Sequence, residues 1–311
     1  MKFEVPSKLS GYLPEAISVL SSIEESNLFN EDKNLSHPAD LFMLAFNDVM
    51  ECAFRLSKRF NEEVAKTRIS ATAPTDLNDI RFDIFNLFFY TSNFMEACQS
   101  IIKSLFKEGG KDKIFIKAVR EFNDNTKNYR DHTSKIINLI KHQHRRIVPF
   151  SYSWGNNLII GYFVEGLVAP TVIGPDPQIH PKHHGQNTGI SLNFDIPFHV
   201  ANIYFSSNCL SSVVKKYAKM PQSTPTNILK DEALRCLKEI SKIDLLLLPN
   251  EFNCAIPSIT ERKADHFLIE TPSKKQPKNK IPHIANISVC ARMGIKNRTI
   301  APPYFAFERN G

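Results

Sequence analysis

Apolar residues recur at alternating steps of four and three along the first half of the chain, the spacing that lines one face of an α-helix. Ile17, Leu20 and Ile23 predict a short helix over about 14–25. Phe42, Phe46, Val49, Ala53, Leu56, Phe60 and Val64 predict a much longer one, with Ser36 as N-cap and Pro38 in the first turn. Ile84, Phe88, Thr91, Met95, Cys98, Ile102 and Leu105 predict a third, ended by Gly109-Gly110. A fourth is expected from about Lys113 to Arg146, with Phe115, Ala118, Phe122, Tyr129, Ile136 and Leu139 turned inward. Long amphipathic helices with short joints pack antiparallel, so residues 1–148 read as a helical bundle.

Pro149 is expected to stop the helical pattern. Leu158 to Glu165 (LIIGYFVE) reads as a strand, Val168-Ala-Pro-Thr171 as a turn, and Gly174-Pro-Asp-Pro177 as a break in the partner segment. Residues 149–195 are therefore taken as a β-hairpin insertion with a His-rich loop. Helical spacing returns in Ile196, Val200, Ile203, Leu210, Val214 and Tyr217, and again over about 227–242, so 196–244 are expected to pack back on the bundle. Residues 245–311 alternate short apolar runs (245–248, 266–269 and 284–290) with Pro, Asn and Lys, the pattern of a β-rich region whose strands pair with the hairpin. The fold class expected is α+β: a long-helix bundle, a β-hairpin insertion and a small C-terminal β-rich region.

Composition sharpens this picture in two ways. Twenty-three Phe against one Trp predict a phenylalanine-dominated interior, and the six cysteines, at least 18 residues apart, offer neither zinc-ribbon spacing nor a compact disulfide framework. The expectation is buried thiols in a reducing cytoplasm. The amino-terminal segment lacks the apolar core of a leader, and no uncharged apolar run reaches the length of a membrane span. A net charge of +7 and a pI near 9.0 favour anionic partners.

The richest chemistry lies in Lys135–Arg146, KIINLIKHQHRR. On a helix Lys135, Asn138, His142 and Arg145 fall at i, i+3, i+7 and i+10 and form one polar stripe, while Ile136, Leu139 and Ile140 anchor the other side. Such a stripe combines a proton carrier (His142), an orienting amide (Asn138) and cations for a phosphate (Lys135, Arg145), the equipment of metal-free RNA cleavage by an internal 2′-hydroxyl. Arg145 and Arg146 equally suit the negative end of a helix dipole. A bundle of long helices with a histidine-bearing stripe late in one of them resembles the HEPN family, which includes bacterial toxin and phage-defence ribonucleases. The resemblance spans at most residues 40–218 and rests on architecture and on Asn138-Leu-Ile-Lys-His142. It implies a metal-independent endoribonuclease with a composite site across a dimer. The family signature is an Arg, then four to six intervening residues, then the His; here no Arg precedes a His at that interval, and Lys135, seven residues before His142, stands in for the cation.

Two further clusters are candidates. His180, His183 and His184, with Asp176 upstream, are residue types that ligate a divalent metal, though Pro177 and Pro181 make their loop a poor preorganised site. Lys274, Lys275, Lys278 and Lys280, together with Arg146, could grip phosphates, and the lysine segment lacks aromatics for base stacking. The chain has no G-x-S-x-G, Walker-type, G-x-G-x-x-G or H-E-x-x-H motif, which removes the usual grounds for hydride transfer, nucleotide hydrolysis or zinc proteolysis. The expected function is thus a cytosolic, cofactor-free, HEPN-like effector that cleaves RNA as a homodimer or with a partner protein. Its rival is a non-catalytic basic module that holds a partner protein or nucleic acid.

Overall fold

The computed structural model describes residues 2–70, 72–74, 76–108, 112–218, 231–273, 286–297 and 299–304. The chain is α+β, as its periodicities predict. Short β1 (Lys2–Val5) and α1 (Ala16–Ser21) precede three long helices, α2 (Pro38–Ser70), α3 (Asn78–Ser104) and α4 (Lys113–Gln143). Then come strands β2 (Ile147–Trp154), β3 (Asn157–Ala169), β4 (Val172–Pro175) and β5 (Ile190–Ser191), and helices α5 (Leu192–Tyr217) and α6 (Asp231–Ser241). The chain closes with β6 (Ile256–Lys263), β7 (His266–Ser273), β8 (Asn286–Val289) and β9 (Thr299–Ile300). Among the described residues no helix is long and apolar enough to cross a membrane.

The long helices form where the apolar stripe is continuous. Phe42, Phe46, Val49, Leu56 and Phe60 of α2, and Ile84, Phe88, Cys98 and Ile102 of α3, are at most 1 % exposed. At the start of α2 the cap is His37 and not the expected Ser36: the His37 Nδ1 accepts from the Ala39 amide at 3.2 Å. The expected Gly109-Gly110 stop after α3 lies outside the described residues. Burying one face of a helix this size stabilises by roughly 1.5–3 kcal/mol per large side chain, which is why pattern and not propensity decides these elements.

Pro149 does not end a helix; it lies inside β2, opposite Tyr162 of β3. The helix stops earlier because His144 adopts φ +53°, and the amides of His144 and Arg145 both bond back to the Leu139 carbonyl. In β3 the even residues Leu158, Ile160, Tyr162 and Val164 face the helices, whereas Ile159 and Phe163 join Val148, Phe150, Tyr152, Leu246 and Leu248 in a second small core on the opposite face. Burial on both faces explains the unbroken apolar run of the hairpin.

The C-terminal strands divide between two sheets. β8 pairs with β2, as expected of the tail, in the order β8-β2-β3-β4-β9, with β5 also on β3. β7 instead pairs with β6 and with β1 at the other end of the chain, forming a separate three-stranded sheet. Leu245–Leu248 is not a strand: Asn193 Nδ2 bonds the Asp244 carbonyl at 2.7 Å, and Leu246 and Leu248 cover the outer face of the hairpin. An apolar run of four can fill a core from an irregular segment as well as from a strand, and here the second core claims it.

Candidate functional site

α4 carries the candidate stripe, and its local sequence dictates both of its ends. Asp112 caps the start through Oδ1, which accepts from the Ile114 amide at 2.7 Å. Ala118, Phe122, Tyr129, Ile136 and Ile137 bury the inner face. Opposite them Lys135, Asn138 and His142 are exposed. Together with Asp131, Ser134, Leu139 and Gln143 they line a shallow open depression of about 480 Å³. Three of the four predicted stripe residues are thus brought together.

Arg145 is not with them. The left-handed turn at His144 reverses the chain, so the helical spacing that aligns i, i+3 and i+7 no longer applies at i+10. The Arg145 Nε lies 3.5 Å from Oδ2 of Asp176, whose side chain is 3 % exposed. Lys135 is also committed, its Nζ donating to the Gln178 carbonyl at 2.6 Å. Arg146 is exposed, with Nε 3.9 Å from Oε1 of Glu165, a carboxyl that burial pushes up and Arg146 and Arg145 pull down. Lys274, Lys275, Lys278 and Lys280 lie outside the described residues.

The three histidines of the loop do not converge. His180 is 2 % exposed, and its Nε2 accepts from the Val164 amide at 2.8 Å, which anchors the loop to β3. Burial drives its pKa down to about 3, so the ring is neutral at physiological pH. His183 and His184 instead pack on each other outside, ring centroids 4.3 Å apart, in a small turn closed by Gln186. Among the described residues no group of three or more His, Cys, Asp or Glu side chains has a metal-binding arrangement. Asp176 is held by Arg145 and by the Gln178 amide.

Sequence reasoning missed a second polar constellation, buried where α3, α4, α5 and β3 meet. Oδ2 of Asp195 accepts from the Tyr162 hydroxyl at 2.8 Å and lies 3.5 Å from His199 Nε2; the other ring nitrogen of His199 is 2.8 Å from the Tyr129 hydroxyl. Burial pushes Asp195 up, but His199, His132 and the Tyr162 hydroxyl outweigh it and hold the carboxyl below its usual range. His132 sits between Phe88 and Phe198, and burial lowers its pKa. The legible signal was Asp195-x-x-x-His199 on an otherwise apolar helix, one turn apart and hence on one face. With His199 at 0 % and Asp195 at 2 % exposure, this network is sealed from any substrate and serves to orient four elements. A third buried polar group, Glu251, clamps the start of α5: its carboxylate accepts from the Ser191 amide and hydroxyl at 2.7 Å each and from the Leu248 amide at 2.8 Å.

No family model matches the chain, and no curated protein or solved structure does so either.

Proposed function

We propose that the protein binds RNA on the exposed face at the end of α4, holding phosphates without cleaving them. The observation that carries this reading is the open depression shared by Lys135, Asn138 and His142, with exposed Lys141 and Arg146 nearby in sequence. Cleavage needs a free cation poised on the scissile phosphate and acid-base groups held preorganised around it. Within one chain Arg145 is committed to Asp176, Lys135 is tethered to Gln178, and the depression is open. What remains is a hydrogen-bonding amide, an imidazole and a positive field, which suit contacts to phosphate and sugar. Four buried, unpaired cysteines, Cys52, Cys98, Cys209 and Cys236, support a cytoplasmic site of action.

One observation favours the catalytic reading, in which the chain is a HEPN-like, metal-independent ribonuclease. Asn138 and His142 stand one turn apart on an exposed face, where the same helix of a second copy could close the depression over them. A single experiment separates the two. End-labelled single-stranded RNA is incubated with the protein in chelator, then run on native and denaturing gels. Retarded but intact RNA, with retardation weakened in Lys141→Gln and Arg146→Gln, supports binding. Cleavage that disappears in a folded His142→Ala variant supports the nuclease. RNA that is neither retarded nor cut refutes both.

A further inference from the structure

The outer face of α3 carries a row of aromatic side chains of which Phe82 stands clear of the core, while Phe85, Phe89 and Tyr90 pack their inner edges on it and keep part of their surface exposed. Phe82, Phe85 and Phe89 fall at i, i+3 and i+7 and so share one face. Phe82 is 56 % exposed, and Phe85, Phe89 and neighbouring Tyr90 are half-buried. The Phe85 and Phe89 rings are 6.4 Å apart and nearly parallel, at 20°. Two cations lie on this row. The Arg81 guanidinium is 4.5 Å from the centroid of Phe82, and Lys141 Nζ is 5.3 Å from that of Phe89. Among the described residues neither cation is ion-paired with a carboxylate, and the Arg81 Nε is buried without a hydrogen-bond partner.

The row runs beside the end of α4. Gln99 Nε2 bonds Asn123 Oδ1 at 3.0 Å and Phe88 meets His132 at 6.3 Å, so α3 and α4 are antiparallel and residues 82–89 lie against the last turns of α4. Lys141, which reaches back over Phe89, directly precedes His142 of the depression. Rings and cations therefore extend from the depression along α3 for about 10 Å at the helical rise, room for two or three bases.

We infer that this face of α3 is a stacking track for single-stranded RNA, an inference that rests on the RNA-binding reading above and adds the form of RNA recognised. An unpaired base offers a π-face that stacks on phenylalanine or on a guanidinium plane whatever its identity, while unpaired cations beside the rings meet the phosphates. In a duplex those faces are already stacked, and side chains on a convex helix cannot reach them. The alternation of ring and uncompensated positive charge favours a polyanion with aromatic bases as occupant over an apolar protein surface, which would leave both cations facing hydrocarbon.

The test uses the full chain, a fluorescent oligouridylate about 12 nucleotides long and an RNA duplex of equal length, titrated by anisotropy at several salt concentrations. Wild type is expected to prefer the single strand. Phe82→Leu keeps an apolar side chain but removes the π-face. It should weaken the single-strand complex roughly fivefold or more while leaving the salt slope and the duplex affinity unchanged, and Phe82→Tyr should restore binding. Lys141→Gln should instead reduce the salt slope by about 0.7. Equal affinity of wild type and Phe82→Leu for the single strand overturns the stacking track and leaves the basic surface standing. Absence of any RNA binding by wild type overturns the parent reading, and this one with it. Dissociation of a dimer by Phe82→Leu, seen in sedimentation, overturns the track in favour of an interface between copies.

Discussion

His180 offers the sharpest quantitative test of the interior. It is buried and neutral, its Nε2 holding the Val164 amide, with a pKa near 3 in the folded chain against an ordinary value of 6.5. Between those values the unfolded chain binds a proton that the folded chain refuses, so stability falls as the pH drops through this window. From pH 7 to pH 5 the loss is about 2 kcal/mol. Glu251 works in the opposite sense. Burial raises its pKa to about 7, beyond the pull of its three donors, so the folded chain keeps a proton that the unfolded chain has already lost above the ordinary carboxyl range. That group loses stability as the pH rises from about 4.5 towards 7, and acidifying from 7 to 5 returns about 2 kcal/mol. The two contributions nearly cancel, so the wild-type profile alone reveals neither. The informative quantity is the stability difference between wild type and His180→Gln, whose amide oxygen can still accept from Val164. Urea unfolding is followed through Trp154, the single tryptophan, with far-UV circular dichroism checking that the transitions coincide. The wild-type advantage should shrink by about 2 kcal/mol between pH 7 and pH 5. In Glu251→Gln it should grow by a similar amount. A His180→Gln difference that is the same at both pH values refutes the argument, since it means that the imidazole is no harder to protonate in the fold than out of it.

Two other substitutions test the geometry. A Cβ on Gly161 would lie 2.6 Å from the Ile190 carbonyl oxygen and 2.7 Å from Phe150, so Gly161→Ala should destabilise by about 1–3 kcal/mol in urea, and unchanged stability would mean that β2 and β5 are not packed on β3 as described. Arg145→Gln removes the cation beside buried Asp176 and is expected to cost about 1–3 kcal/mol of stability while leaving RNA affinity within about twofold of wild type. A larger loss of affinity at unaltered stability would return Arg145 to the α4 stripe.

The helices were legible because their faces repeat over many turns, each turn adding an independent vote for the same period. Phe42 to Phe60 and Ile84 to Ile102 are buried as their spacing predicts. Short segments carry no such redundancy. Leu245–Leu248 reads as a strand and fills a core as irregular chain; Ile256–Lys263 alternates too weakly to be read, yet it is a strand because β7 offers it an edge. At the candidate site, Lys135, Asn138 and His142 share a face because local helix geometry requires it. Arg145 left them because one residue, His144, turned left-handed.

By itself, then, the sequence determined what depends on neighbours three and four residues away: the long helices, the apolar inner faces and the polar stripe along α4. Only the tertiary structure decided what depends on distant partners. It joined β1 to β7 across the length of the chain, turned His180 inward and His183 outward, sealed Asp195 and His199 together, and set Lys141 of α4 over the Phe89 ring of α3. The physical reason is one of range. Periodicity encodes which side of an element is buried, whereas the identity of what buries it depends on chain closure and packing over separations of tens to hundreds of residues, for which a single sequence carries no repeated signal.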